Sequence, residues 1–513
     1  MQRNHFIIFI LALSIGNAAI AQASKDTKQV HTLVVFFDGL RPDYITEATM
    51  PNLYAFSKRA CYGMQHHSVY PTVTRVNSAS LSTGSYPATH GLMNNSVYFP
   101  EIDKTHALNT AESADLDRIT AATKGHLLTT VTLGELLKSA GYGMMVFSSG
   151  TSGQALLQNH TVSGGAVVNT TLILPASLRP TLEKEIGPVP PIAKPNAAQH
   201  KWITDALIKY GLVSTGPLVS TIWFSDPDAT EHEDGVGVPS TMAAIRSVDE
   251  QFGRILAHLK QTGLDKDFNI IVSADHGFIS HNGQTFDNVQ ELLIKAGIKK
   301  SKESDDVSFI GGGIYVKDHD TSLIRRVVGV LQSREGTGGI FTRSASPGSE
   351  FGFVAGTVSL TTLHLDHPDR AADIIVSGQW DDSKDKMGYP GNAFSRGVAG
   401  HGGFSSYEVH IALLAAGPSF KKPFESETPT SNVDIAPPIL HICHIPVPPT
   451  MDGRVMTELL NEKEGGSSSL PVKKKTITAT APFEGGVYTM EVQETIMGKY
   501  RYLDFTKASR QVK

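Results

Sequence analysis

The sequence predicts an α/β fold: a mainly parallel central sheet with helices on both faces, carrying cap insertions and a small C-terminal β segment. Three observations predict it. Short apolar runs take turns with segments of helical period, the order that builds a parallel sheet covered on both sides. Runs such as 30–37 and 268–273 are dominated by apolar residues instead of alternating with polar ones, as strands buried on both faces are. Acidic and imidazole residues follow directly after these runs, and parallel sheets gather such strand ends along one binding edge.

The elements follow in order. Arg3, an apolar stretch over 6–15 and the small residues Ala19, Ala21 and Ala23 read as a secretory signal peptide over 1–23, cut before Gln22 or Ser24. A secreted or periplasmic, bacterial protein is therefore expected. The apolar stretch is short for a membrane span and no other reaches that length, so no stable span is expected after cleavage. Residues 30–37 form a strand ending in Asp38-Gly39, and 50–59 a helix. Residues 74–82 read as a short helix, opened after Pro71 breaks the preceding strand and ended near Gly84. Next come a helix over 133–139, closed by Ala140-Gly141, and strands over 143–149 and 218–224. Residues 241–260 carry Met242, Ile245, Val248, Phe252, Ile255, Leu256 and Leu259 at helical spacing. A strand over 268–273, a helix over 288–296 and a late strand over 410–416 complete the alternation.

Two stretches break the pattern. Residues 96–127 and 152–200 are rich in Thr, Asn, Pro and small residues, and read as insertions or a cap over one edge. The main domain then spans 28–464. Residues 465–475, opening on Gly465-Gly466-Ser467-Ser468-Ser469, form a linker, and 476–513 a C-terminal β segment expected as a hairpin.

Composition narrows the function classes. The chain has 513 residues, 40 % of them hydrophobic, enough for a sizeable core. A formal net charge of −5, with no basic stripe, argues against a nucleic-acid-binding surface. Cys61 and Cys443 make no disulfide framework; an oxidising compartment allows one bridge, nothing in the spacing supports it, and buried thiols suit the pair at least as well. Oligomeric state has no signature in the pattern.

The chemistry lies at the strand ends. Asp38 ends the first strand, Asp228 and His232 follow the strand over 218–224, Asp275-His276 follows 268–273, and His401 sits among glycines shortly before the late strand. Three carboxylates at one rim repel, unless their pKa values rise or cations bind between them. Imidazoles mixed with carboxylates favour zinc-type ions over calcium or magnesium. Asp228 and His232 are spaced i, i+4, so on a helical turn they face the same way. Asp275 and His276 share one ion only where the strand frays into a loop, which Gly277 permits. Thr74 falls at or near a helix N-terminus, where free amides and the dipole favour an anion. Its hydroxyl serves as a nucleophile once a divalent cation lowers its pKa, and as an N-cap otherwise.

At this point the chain resembles a known family. Phe37-Asp38-Gly39; Pro71-Thr72-Val73-Thr74 with Thr83-Gly84-Ser85-Tyr86-Pro87; Pro227-Asp228 with His232; and Asp275-His276-Gly277 followed by Gly400-His401-Gly402 stand in the order found in the alkaline phosphatase superfamily. Within it they resemble the type I phosphodiesterase/nucleotide pyrophosphatase group. The resemblance spans roughly 30–460 and implies an alkaline-phosphatase-like catalytic domain. It implies two zinc ions, one held by Asp38, Thr74, Asp275 and His276, the other by Asp228, His232 and His401. Manganese or iron suits the same donors. It implies that Thr74 attacks phosphorus and forms a phosphothreonine, and that Asn95 hydrogen-bonds a phosphoryl oxygen. The substrate is then a small phosphate ester, a phosphodiester or nucleotide pyrophosphate.

Two departures leave the substrate open. Arg75 follows the nucleophile where that group usually has an aromatic residue or asparagine, and its planar fork suits a phosphoryl oxygen. Gly402-Gly403-Phe404 also differs, being closer to the sulfatase and phosphonoacetate hydrolase branches. Thr74-Arg75-Val76 lacks the Cys or Ser that a typical sulfatase needs. A phosphomonoesterase and a phosphonoacetate-hydrolase-like enzyme stay as alternatives. The non-enzymatic one is an exported metal-binding module with a decayed site, although all seven ligand positions hold competent residues.

Overall fold

The computed structural model describes residues 29–284, 288–467 and 470–512. The expected signal peptide, 1–23, lies outside the described residues. A ten-stranded sheet forms the centre. His31–Phe37 runs parallel to Val219–Phe224 on one side and to Phe268–Ser273 on the other. Beyond Val219–Phe224 come Met144–Ser148 and Ala166–Asn169, still parallel, and Ile173–Leu174 closes that edge antiparallel. Past Phe268–Ser273 the direction changes, with His410–Ala416 antiparallel to it and to Cys61–His67. Phe424–Ser426 and Thr430–Ser431 pair parallel with Cys61–His67.

The first strand shows why its sequence lacks polar alternation. Leu33, Val35 and Phe37 enter one apolar core, Val34 and Phe36 another. Successive side chains point to opposite faces, and both faces are covered. The helix Pro239–Gln261 lays Ile245, Val248, Phe252, Ile255 and Leu259 on one side. Leu133–Ser139 and Ala436–Ile442 cover the other. Each fully buried large apolar side chain contributes about 1.5–3 kcal/mol. Phe36 stacks on Trp223 across the sheet, with centroids 4.5 Å apart. Cys61 and Cys443 do not pair.

The two stretches set apart by composition differ. Residues 96–127 hold the ladder of Ser96–Val97 with Leu108–Asn109 and the helix Ser113–Ala122, around a small core of Leu116, Ile119, Leu127 and Leu128. Residues 152–200 supply the edge of the central sheet, Ala166–Asn169 and Ile173–Leu174, followed by the helices Arg179–Ile186 and Ala197–Ala206. Between 296 and 410, where the sequence offered no clear element, lies a second, five-stranded sheet. Its strands are Val307–Ile310, Gly313–Val316, Thr337–Thr342, Val358–Ser359 and Ile374–Gly378. They are short and interrupted by Gly311-Gly312-Gly313 and Gly338-Gly339, which hides their period.

The C-terminal segment is a three-stranded antiparallel sheet, Val472–Phe483, Gly486–Met497 and Tyr500–Val512. It begins at Val472, inside the expected linker, and has one strand more than a hairpin. Tyr488, Met490 and Val492 share one core with Ile340 and Phe341 of the five-stranded sheet, so the segment is packed onto the rest.

Candidate active site

Asp38 stands one residue past the first strand, and Trp223 Nε1 donates to its Oδ2 at 3.0 Å. Gly39 turns the chain with φ 74° and donates its N–H to Asp275 Oδ1 at 3.0 Å. A Cβ on Gly39 would come within 3.1 Å of Asp228 Cβ, so the missing side chain lets the two strand ends meet. Asp228 begins the helix Asp228–Asp234 and His232 lies one turn on, its Nε2 3.2 Å from Asp228 Oδ1.

Asp275 and His276 follow Phe268–Ser273 where the strand has ended. Gly277 makes that exit possible: a Cβ there would stand 2.0 Å from the Tyr407 carbonyl oxygen. His276 Nδ1 lies 2.9 Å from the Gly277 carbonyl, and His401 Nδ1 lies 2.7 Å from the Thr72 carbonyl. A carbonyl only accepts, so both Nδ1 atoms carry the hydrogen and both Nε2 atoms offer lone pairs. His276 Nε2 faces Asp275 Oδ2 at 3.1 Å and Asp38 Oδ1 at 3.5 Å; His401 Nε2 faces Asp228 Oδ1 at 3.2 Å.

Lone pair thus faces lone pair throughout the centre. Asp38 Oδ1, Asp228 Oδ1 and Asp275 Oδ2 are buried without a hydrogen-bond donor. Asp38, Asp275 and His276 offer ligand atoms within 4.8 Å of one another, and so do Asp228, His276 and His401. His276 therefore sits between the two sets, and His232, its side chain 45 % exposed, completes the rim beside Asp228. In the absence of a cation, burial and the neighbouring Asp275 and Asp228 hold the Asp38 carboxyl well above its ordinary value. Burial pushes Asp275 up to about 7 and His401 down to about 3. Burial opposes the Asp228 carboxylate as well, but the His232 imidazole beside it holds it well below the usual range. Divalent cations relieve this frustration at once; the donor set fits them.

Thr74 is the first residue of the helix Thr74–Thr83, with Val73 at the cap position, so its hydroxyl does not cap the helix. Thr74 Oγ1 lies 3.4 Å from His276 Nε2. Arg75 N donates to Asn95 Oδ1 at 3.0 Å, which ties Asn95 to the same helix end. Asn94 points elsewhere, donating to the Gly311 carbonyl at 2.6 Å. The Arg75 guanidinium feels Asp38, Asp228 and Asp275, and its buried Nε has no partner among the described residues.

The structure thus brings together all of the residues singled out from the sequence. It adds two supports that pattern reading missed. Thr72 holds His401 through its carbonyl and the Gly402 N–H through its hydroxyl, and Trp223 holds Asp38. Their signal was position: Thr72 lies two before Thr74, and Trp223 is the last residue but one of the strand beside Asp38. Asp226 binds His200 Nε2 at 2.9 Å and Thr230 Oγ1 at 2.8 Å, bracing the helix of Asp228.

The family model of type I phosphodiesterase/nucleotide pyrophosphatase matches residues 32–382. Mouse ectonucleotide pyrophosphatase/phosphodiesterase family member 3 is 25 % identical over 242 residues, 47 % of this chain and 24 % of that protein. The bis(5'-adenosyl)-triphosphatase of Xenopus laevis is 26 % identical, over 48 % of this chain and 46 % of its own. A venom phosphodiesterase of Crotalus durissus collilineatus is 26 % identical, over 54 % and 30 %. The matched part is thus less than half of each of these relatives. The solved structure of murine ectonucleotide pyrophosphatase/phosphodiesterase 5 superposes with a TM-score of 0.60 at 18 % identity, covering 84 % of this chain and all of that one. An inactive threonine-to-alanine form of that murine protein, in complex with AMP, superposes with a TM-score of 0.59. With strand ends, motifs and family model in agreement, the chain belongs to the type I phosphodiesterase/nucleotide pyrophosphatase family, within the alkaline phosphatase superfamily.

Proposed function

We propose that this chain hydrolyses phosphodiesters or nucleotide pyrophosphates through a phosphothreonine on Thr74. One observation carries the reading: three buried carboxylate oxygens without donors face imidazole lone pairs beside a hydroxyl at a helix N-terminus. Asp38, Thr74, Asp275 and His276 would hold one ion and Asp228, His232 and His401 the other, zinc by donor type. When bound, two such ions supply Lewis acidity that lowers the hydroxyl pKa and offsets the charge of the leaving oxygen. Three carboxylates and a threonine alkoxide together balance two dications.

Thr74 Oγ1 gives up its proton to solvent and forms the new bond to phosphorus, while the ester oxygen departs with its electron pair and takes a proton from solvent. A second water then cleaves the phosphothreonine and restores the hydroxyl. The positive end of the helix Thr74–Thr83 favours the phosphoryl oxygens beside Thr74. Asn95, with its carbonyl held by the Arg75 N–H, keeps its NH2 for another. The AMP complex of the inactive murine threonine-to-alanine form and the likeness to a bis(5'-adenosyl)-triphosphatase support the substrate class.

A cavity of about 380 Å³ opens beside His401, lined by Ile279, Phe309, Val376, Trp380 and Phe394. No lysine or arginine lines it among the described residues, so it suits a neutral or planar leaving group. A phosphomonoesterase is the second reading, favoured by Arg75: a dianion wants one more cationic donor, and its Nε is unpaired. The part before 465 forms the catalytic unit, and the sheet from Val472 to Val512 a packed β appendage. Export through the leader at 1–23 is part of the proposal; no helix of the described residues is long and apolar enough to cross a membrane.

Metal analysis of the purified chain, paired with rates on bis-p-nitrophenyl phosphate, p-nitrophenyl phosphate, p-nitrophenyl sulfate and a p-nitrophenyl nucleotide ester, tests this. Two zinc ions with diester or nucleotide-ester turnover fastest are expected. Monoester turnover fastest moves the protein to the phosphatase reading, and no turnover on any of the four overturns the proposal.

A further inference from the structure

Away from the reaction site, a second set of metal-type donors converges. His67, His410 and Asp504 offer three ligand atoms within 4.8 Å of one another. They come from distant parts of the chain. His67 ends Cys61–His67, His410 begins the antiparallel strand His410–Ala416 and pairs with it in register, and Asp504 lies on Tyr500–Val512 of the C-terminal sheet. His67 and Asp504 are buried, 1 % and 3 % exposed, and His410 is half-buried.

The hydrogen bonds decide what the cluster can hold. His67 Nδ1 lies 2.9 Å from the Thr430 carbonyl oxygen, so it carries the hydrogen and a neutral ring offers a lone pair at Nε2. That lone pair faces Asp504 Oδ1 at 3.0 Å, a second acceptor. Thr495 Oγ1 lies 3.0 and 2.9 Å from the two Asp504 oxygens, steadying the carboxylate. Two acceptors at that distance require a cation between them, either a proton or a metal ion. His410 discriminates: its ring makes no hydrogen bond among the described residues, yet it lies 4.8 Å from the His67 ring, centroid to centroid. A shared proton leaves His410 without a role; a metal ion uses all three groups.

We propose that His67, His410 and Asp504 bind one transition-metal dication of the zinc class, with water as fourth ligand on the half-exposed side. Two imidazoles and one carboxylate are borderline donors of the type zinc takes. Bonds of about 2.0–2.1 Å put tetrahedral donors roughly 3.3 Å apart, so His67 and Asp504 are already placed and His410 closes by up to about 1.5 Å. The ion pins the C-terminal sheet to the central one. It also fixes the roots of two functional loops, since His67 leads through 68–73 into Thr74 and His410 follows 401–409.

The test uses the full chain, without a polyhistidine tag, carrying Asp38→Asn and Asp228→Asn to weaken the reaction site. The protein is stripped with chelator, dialysed against zinc, and its metal measured by mass spectrometry. One zinc ion per chain is expected to be bound with Asp504 and the histidines intact, and His410→Ala is expected to bind one fewer. This difference of one ion stands whether or not the reaction site binds metal, so failure here and failure of the hydrolase reading are separate results. Zinc is also expected to raise the Tm of the parent by several degrees and that of His410→Ala much less, with matching far-ultraviolet circular dichroism showing that both are folded. Equal zinc content and equal Tm response in the two proteins overturn the proposal and assign the cluster to a proton-bridged pair.

Discussion

The His401 imidazole lies flat on that of His276, with ring centroids 3.5 Å apart and planes within 11°. Each ring is oriented by a carbonyl behind it, so the stack presents two lone pairs toward one carboxylate oxygen, Asp228 Oδ1, at 3.2 and 4.0 Å. Such an arrangement is poorly stable without cations. Chelation is expected to lower turnover by at least about a hundredfold and to lower Tm, with zinc restoring both. Full activity in the stripped protein would contradict this.

Thr74→Ala is expected to cut kcat by about a thousandfold or more even when zinc is supplied in excess, because Asp38, Asp275 and His276 remain to hold the ion. Thr74→Ser keeps the hydroxyl at the same helix position and is expected to keep part of the turnover. Quenched-flow detection of a phosphorylated chain in the serine variant, and its absence in the alanine variant, separates a nucleophile from a mere ligand.

Arg75 distinguishes the two substrate readings. Its guanidinium lies in the field of Asp38, Asp228 and Asp275, where a bound anion would meet it. A hydrogen bond to a charged group is worth about 1.5–3 kcal/mol. Arg75→Ala is therefore expected to lower kcat/KM for a monoester by roughly ten- to a hundredfold, and for a diester by less. Equal losses on both substrates would make Arg75 a structural residue.

The site was legible in the sequence because its ligands sit at strand ends, and strand ends are marked by the polarity change itself: Phe37 to Asp38, Ser273 through Asp275 to His276. The sheet core was legible for the same reason, since a strand covered on both faces carries apolar residues at successive positions. The five-stranded sheet was not, because strands such as Val307–Ile310 and Gly313–Val316 are four residues long and separated by glycines. The link of His67 to Asp504 was equally hidden, for it depends on how the C-terminal sheet docks and not on any local spacing.

His90 makes stability depend on acid. It is fully buried; its Nδ1 accepts the Leu92 N–H at 3.1 Å and its Nε2 pairs with Ser80 Oγ at 3.1 Å. Burial, with His367 and Arg370 adding to it, pushes its pKa down to about 3. The unfolded chain therefore binds more protons than the folded one between about pH 6.5 and pH 3. Stability from this residue is complete above that window and declines as the pH falls through it, by up to about 5 kcal/mol. Urea titrations at pH 7 and pH 4.5 are expected to show a steeper loss in the native protein than in His90→Asn, even though the variant starts less stable. Parallel losses would show that His90 is not the group responsible.

Gly277 carries the last prediction, because one missing methyl joins fold to chemistry. The Gly277 N–H donates to the Glu408 carbonyl at 2.9 Å, and a Cβ at 277 would stand 2.0 Å from the Tyr407 carbonyl oxygen. No side chain can occupy that space, so in Gly277→Ala one of the two backbone segments must move. Backbone shifts of this kind cost typically about 1–3 kcal/mol, occasionally more. The shift falls on the segment that carries Asp275 and His276 and on the one that runs back to His401. Gly277→Ala is therefore expected to lower metal affinity and kcat together, beyond what its loss of Tm explains. A variant that is destabilised yet keeps full metal content and turnover in the cold would show that the close approach serves only the fold.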